Sequence, residues 1–298
     1  MPLLKMADLT GLKLIAQGTS WTDRAVDIIA IHGLQGFDTW KYPVDGIEDS
    51  SRAVFWVKDF LPKDFPSAKI YTYNYQSTVF HDRQAIAKAA DKLLAKLQGL
   101  QADNIEVRSH IELRSRYIPV SAVPQHQESK RMVNRLTFRY QTSRPLVFIC
   151  HSLGGLILQC ALNKAFDKKG EKAFCDIVTA TQGIIFLGTP HPTPDLDQSL
   201  SKIVAASERV ESIMFDSQFV AEVLVRFASL SQYNPPWKVI HCYEELPVPG
   251  TTFRVSYSMV KIPKKRIKIT QRSINRRSNQ ARQNRGLSPN YRCTVIIL

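Results

Sequence analysis

The segment LVFICHSLGGL, residues 146–156, narrows the choice of folds more than any other part of the chain. Leu146, Val147, Phe148 and Ile149 run into a small Cys150. His151, Ser152, Leu153, Gly154 and Gly155 then lead into an apolar pattern of helical period. This is a strand, a sharp turn and a helix. A serine at the tip of such a turn needs strained backbone angles and a close approach of strand and helix, which small residues two before and two after it permit. Those positions hold Cys150 and Gly154, so the usual G-x-S-x-G reads C-x-S-x-G. Ser152 is then either an activated nucleophile or an ordinary helix N-cap. Five residues alone do not separate the two.

The rest of the chain supplies the setting in which such a turn occurs. Strands are expected at residues 12–16, 26–31, 69–75, 146–150, 183–188 and 237–243. Helices are expected at 51–61, stopped by Pro62, at 82–100, from Leu153 onward, and at 204–230 in one or two pieces. In the helix at 82–100, Ile86, Ala90, Leu93, Leu94, Leu97 and Leu100 fall mostly three or four apart and mark one buried face. Alternation of strand and helix implies an α/β fold: a mostly parallel central sheet covered on both faces, a three-layer sandwich, expected to be incomplete at its C-terminal edge. With 298 residues and 44% hydrophobic content the chain can bury a sizeable core.

Composition removes several function classes. No run approaches the roughly 18 apolar residues of a spanning helix, and MPLLKMADLTGLKLIAQG lacks the apolar stretch of a cleavable signal. A globular chain is expected, not an integral membrane protein. Cys150, Cys160, Cys175, Cys242 and Cys293 are odd in number and lack metal-ligand spacing, so they read as reduced thiols; no metal and no cofactor is expected. The net charge of +14 suggests nucleic acid until it is divided along the sequence. Residues 254–298 hold 4 Lys and 8 Arg with no acidic residue, and residues 101–145 hold 8 basic against 4 acidic residues. The remainder is close to neutral, so the part that folds carries no nucleic-acid signal. The expected division is a domain over 1–253, with an atypical basic insertion at 101–143, and a basic, disordered tail over 254–298.

Two further motifs lie where a serine hydrolase would need them. The strand from Val26 ends in IHGLQG, with His32, Gly33 and Leu34. Such an enzyme holds its oxyanion with two backbone N–H groups, one just after the nucleophile and one from an early strand-to-helix loop. Leu153 and Leu34 are the corresponding donors, although HG after a strand is also an ordinary tight turn. The second motif, FLGTPHP at residues 186–192, falls at the carboxyl edge of the sheet, where open α/β folds keep their sites.

Taken in order, DIIAIHGLQG, Thr39-Trp40, FWVKDFLPKDFP, AKIYTYNY, FICHSLGGL and GIIFLGTPHP resemble the serine active site-containing proteins and their lipase-like α/β-hydrolase relatives, with a fungal-type member suggested. The resemblance covers residues 12–100 and 144–247. It implies an ester or acyl hydrolase with a serine, acid and histidine triad, acting on an ester or lipid-like substrate. It also implies an intracellular setting, either cytoplasmic or at mitochondrial or endoplasmic reticulum membranes, with peripheral membrane association. In some relatives the domain is the N-terminal module of immune-like receptors.

Within that resemblance Tyr243-Glu244 matches an aromatic-Glu pattern, making Glu244 the candidate acid, with Glu245 and Asp216 as alternatives. A solvated strand-end carboxylate is the competing reading of Glu244. The base is the gap: relatives place it after the final strand, yet no histidine follows His241 in the sequence. Of the histidines, only His191 lies both after Ser152 and at the expected edge, where the resemblance assigns it to the GTPH turn. His191 is therefore the candidate base. The segments 101–143 and 254–298 read as foreign to the family domain, either gene-model artefacts or lineage-specific extensions. The favoured function is a lipase- or esterase-like serine hydrolase. The alternative is a catalytically inactive α/β-hydrolase module for interaction or immune-like signalling.

Overall fold

The computed structural model describes residues 10–18, 25–34, 36–42, 54–76, 84–115, 144–190, 196, 200–201, 216–233, 237–244 and 293–297. In chain order the elements are β1 (Gly11–Ala16), β2 (Asp27–Ile31), a 3-10 turn (Gly36–Trp40), β3 (Lys41–Tyr42) and β4 (Val54–Phe55). There follow α1 (Trp56–Asp59), α2 (Leu61–Asp64), β5 (Lys69–Asn74), α3 (Ala85–Ser115) and β6 (Leu146–His151). The remainder is α4 (Leu153–Asp167), α5 (Lys172–Ala180), β7 (Thr181–Leu187), α6 (Ser217–Tyr233), β8 (Lys238–Glu244) and β9 (Cys293–Ile297).

Seven strands form one sheet in the order β1-β5-β2-β6-β7-β8-β9, and β3 and β4 form a separate pair. From β5 to β8 every pairing is parallel; β1 on β5 and β9 on β8 are antiparallel. A sheet of this kind must be covered on both faces, and β2 shows why: all five of its residues are buried. On one face Ile29, Ile31, Phe148, Cys150, Ile184 and Phe186 pack with Leu93, Leu97, Leu156 and Leu224 of the long helices. On the other, Ile28, Ala30, Ile70 and Ile149 pack with Trp40, Val57 and Leu61. The expected α/β sandwich with a mostly parallel centre is present, compatible with an α/β-hydrolase-like fold.

Several elements depart from the sequence expectation. Of the helix expected at 51–61, residues 51–53 lie outside the described ones, and the rest is a short strand followed by two single turns that reach Asp64. Pro62 does not end a helix but lies in the first turn of α2, where its missing N–H has no intrahelical partner to lose. The helix at 82–100 continues to Ser115, into the segment read as an insertion. Ile177 and Val178 belong to α5, whose buried side runs directly into β7. Residues 293–297, expected in a disordered tail, form β9 and border the sheet beside β8. The remaining residues of that segment lie outside the described ones.

At the amino ends of the strands, Arg144 fastens the centre of the sheet. Its Nε donates to Asp27 Oδ1 at 2.6 Å and its Nη2 to the Val26 carbonyl at 3.1 Å. Both side chains are almost fully enclosed. The Gln101 amide of α3 reaches the Arg144 carbonyl at 3.4 Å. One arginine thus ties the start of β2, the lead into β6 and α3 together.

Candidate active site

The parallel strands bring their carboxyl ends to one edge. There they gather His32–Leu34 after β2, Tyr75 after β5, His151 at the end of β6 with Ser152 after it, Gly188–Thr189 after β7 and Glu244 at the end of β8. Open α/β sheets bind ligands at such an edge.

Ser152 has φ 48° and ψ −119° and makes no side-chain capping bond to α4. An ordinary N-cap has extended backbone angles and a side-chain oxygen accepting from the first turn. Neither feature is present, so the N-cap reading does not describe Ser152. Among the described residues it is the one non-glycine with positive φ. Such a conformation costs on the order of 1–3 kcal/mol and persists only where the surroundings impose it.

Those surroundings can be named. The Ser152 N–H donates to the Leu187 carbonyl at 2.8 Å, extending the β6–β7 pairing into the turn. The Ser152 carbonyl accepts from the Thr189 hydroxyl at 3.2 Å and from the Gly155 N–H at 3.0 Å. Gly154 lies against β2: a Cβ there would come within 2.4 Å of the His32 carbonyl oxygen. A Cβ on Gly155 would meet the Thr189 hydroxyl at 2.2 Å. Two glycines after the serine are therefore demanded by packing. Cys150, in the place usually held by glycine, is fully buried, and burial pushes its thiol well above the usual range. It fills space as a neutral side chain.

The His32–Leu34 loop lies directly beside the turn. A Cβ on Gly33 would sit 3.1 Å from the Ser152 Cβ and 2.7 Å from His151 Nδ1. Leu34 and Leu153, the two expected N–H donors, are both buried at this junction. His32 Nδ1 donates to the Gly33 carbonyl at 2.8 Å, and Nε2 accepts from the Tyr75 N–H at 3.3 Å. Burial lowers the His32 pKa to about 4, against the opposing effect of the Gly33 bond. His151 is likewise lowered to about 4, by burial first and by His32 second, and its ring meets Trp40 edge-on at 6.4 Å.

The other expected site residues divide. Glu244 lies at the carboxyl end of β8, opposite Cys293 of β9 and two strands from Ser152, about 10 Å across the sheet. Asp216 is taken up elsewhere: its Oδ1 accepts the Phe219 N–H at 3.0 Å and caps α6. His241 is buried and stacks on Phe186 at 5.2 Å, a core histidine. His191 and Glu245 lie outside the described residues. Tyr75 and Thr189 were missed as site residues. Their motifs, KIYTYNY and FLGTPHP, were visible, but their partners are 43 and 37 residues away in sequence. Among the described residues no cluster of His, Cys, Asp and Glu could hold a metal ion, and no helix is long and apolar enough to cross a membrane.

No family model matches the chain. It is similar to Protein SERAC1 of Mus musculus, 25% identical over 219 residues that cover 66% of this chain and 25% of the relative. It is also similar to Protein SERAC1 of Homo sapiens, 24% identical over 219 residues with the same coverage, and of Bos taurus, 25% identical over 242 residues, covering 74% of this chain and 30% of the relative. The chain thus spans between 25% and 30% of the length of these relatives. They are vertebrate proteins and give no support to a fungal-type affiliation.

Proposed function

We propose that this chain is a lipase- or esterase-like serine hydrolase with Ser152 as its nucleophile. The observation that carries the reading is the Ser152 backbone: a non-glycine residue held at positive φ on a strand-to-helix turn, with packing that leaves no room for a side chain at Gly154 or Gly155. A serine serving only to start a helix has no reason to accept that strain. The motif resemblance to serine active site-containing, lipase-like proteins and the distant similarity to Protein SERAC1 support a lipid-related, hydrolase-like module.

In this reading Ser152 Oγ attacks the ester carbonyl while an imidazole takes its proton. The carbonyl oxygen becomes an oxyanion held by the Leu34 and Leu153 N–H groups. Collapse expels the alcohol, which receives the proton from the imidazolium, and water then releases the acid by the same steps. Glu244 orients the imidazole. His191 is assigned as the base because only it and His241 follow Ser152 in the sequence, and His241 is packed under Phe186. The substrate is an ester or acyl compound met at or near a membrane surface.

Labelling with a fluorophosphonate tests this reading, since the probe bonds a serine only where a base and an oxyanion hole activate it. Labelling is expected in the unsubstituted chain and absent in Ser152→Ala. A folded chain that takes no label would favour the second reading, an inactive α/β-hydrolase module for interaction. The observation behind that second reading is the lack of any histidine after His241 in the sequence.

A further inference from the structure

Tyr75 follows the last residue of β5 and belongs to none of the roles assigned so far, yet three contacts join it to His32. Its hydroxyl donates to the His32 carbonyl oxygen at 2.8 Å. Its backbone N–H donates to His32 Nε2 at 3.3 Å. Its ring stacks on the imidazole with centroids 4.2 Å apart and planes 16° from parallel. A ring nitrogen that accepts a bond carries no proton, so the proton of His32 sits on Nδ1. Nδ1–H donates to the Gly33 carbonyl oxygen at 2.8 Å, and the Gly36 N–H donates to the same oxygen at 3.2 Å.

In a trans peptide the C=O and the N–H point in opposite directions. The Gly33 carbonyl and the Leu34 N–H belong to one peptide plane, so fixing the first fixes the second. The restraint matters because Gly33 has no Cβ to resist rotation of that plane. With the proton on Nε2 instead, Nδ1 would face the Gly33 oxygen as a second acceptor, and the plane would be pushed to turn. The orientation of the Leu34 N–H therefore depends on which nitrogen of His32 carries the proton, and that choice is set by residue 75.

We propose that Tyr75 is a positioning residue for oxyanion stabilisation: it holds His32 in one tautomer and one pose, and His32 holds the Leu34 N–H in its working orientation. The inference rests on the hydrolase reading above. It differs from an ordinary core role because its effect falls on the step in which the oxyanion forms, not on substrate capture.

The test uses the full chain and the Tyr75→Phe variant, which keeps the ring stack and the backbone N–H that sets the tautomer and loses only the hydroxyl that holds the His32 carbonyl in its pose. Fluorophosphonate labelling is followed over a range of probe concentrations, so that the maximal rate and the half-saturating concentration are read separately. A maximal rate lower by about tenfold, with the half-saturating concentration unchanged, is expected; complete loss of one oxyanion donor costs about 10²–10³. Equal maximal rates in a folded variant overturn the role of Tyr75 and leave the hydrolase reading standing. Nitrogen NMR of the histidine-labelled, unsubstituted chain reads the His32 tautomer without any need for activity or for a folded variant. A proton on Nδ1 is expected, and a proton on Nε2 overturns the inference. If the unsubstituted chain takes no label at Ser152, the hydrolase reading fails and this role for Tyr75 fails with it, whichever tautomer is found.

Discussion

Burial keeps His32 and His151 neutral inside the fold, each with a pKa of about 4 against an ordinary value of 6.5. The unfolded chain therefore binds more protons than the folded one between these values, and stability falls as pH drops from about 6.5 to about 4. Below that window the histidines add no further loss. For His32 alone the change is on the order of 3 kcal/mol. Urea unfolding at pH 7, 5.5 and 4.5 should show the decline, and His32→Gln should reduce it by roughly half, leaving the His151 share; a profile level over this range would contradict the neutral pair. At this scale the sequence was informative where a residue's role is local. Ser152, Gly154 and the HG dipeptide could be placed because a tight turn restricts its own neighbours. Tyr75 could not, since its partner is fixed only when β5 and β2 pair, and a tyrosine ending a strand looks the same with or without it.

Between elements, Asp27 and Arg144 form a buried ion pair at the amino ends of the central strands. Removing one member of a buried pair leaves the other charge uncompensated, at a cost of about 3–5 kcal/mol, whereas replacing both with apolar residues is often tolerated. Arg144→Ala should therefore lower stability strongly in urea or thermal unfolding, and the double substitution Asp27→Leu with Arg144→Met should recover most of the loss. If the single change costs under about 1 kcal/mol, the clamp between β2, β6 and α3 is not energetically important. The strands of the centre were legible because each is a short apolar run bounded by turn residues. β7 begins at Thr181, two residues before the expected 183, because the apolar end of α5 merges with the start of the strand and periodicity alone does not mark the join. The helix expected at 51–61 failed differently. Val54, Phe55 and Val57 satisfy either period over so short a span, and Phe55 and Val54 pair with Lys41 and Tyr42 instead.

For the molecule as a whole, described structure reaches into both basic segments, as the end of α3 in one and as β9 in the other. The five residues Cys293–Ile297 come from the far end of the most basic stretch and border the sheet at β8. Without them β8 would present a row of open N–H and C=O groups, the usual template for pairing between chains. A chain lacking residues 293–298 should therefore self-associate, seen as a rise in light scattering with concentration, while the full chain does not. An unchanged scattering profile would show that this border is not needed to protect β8. The opposite border, β1, is also antiparallel, so both flanks of the sheet differ in kind from the five parallel strands between them. Among the described residues, the candidates for the chemistry from His32 to Glu244 lie on those five strands, in the turns that leave them or at the first residue of α4. The described candidate residues thus sit on the parallel interior of the sheet, and neither antiparallel border strand carries one of them.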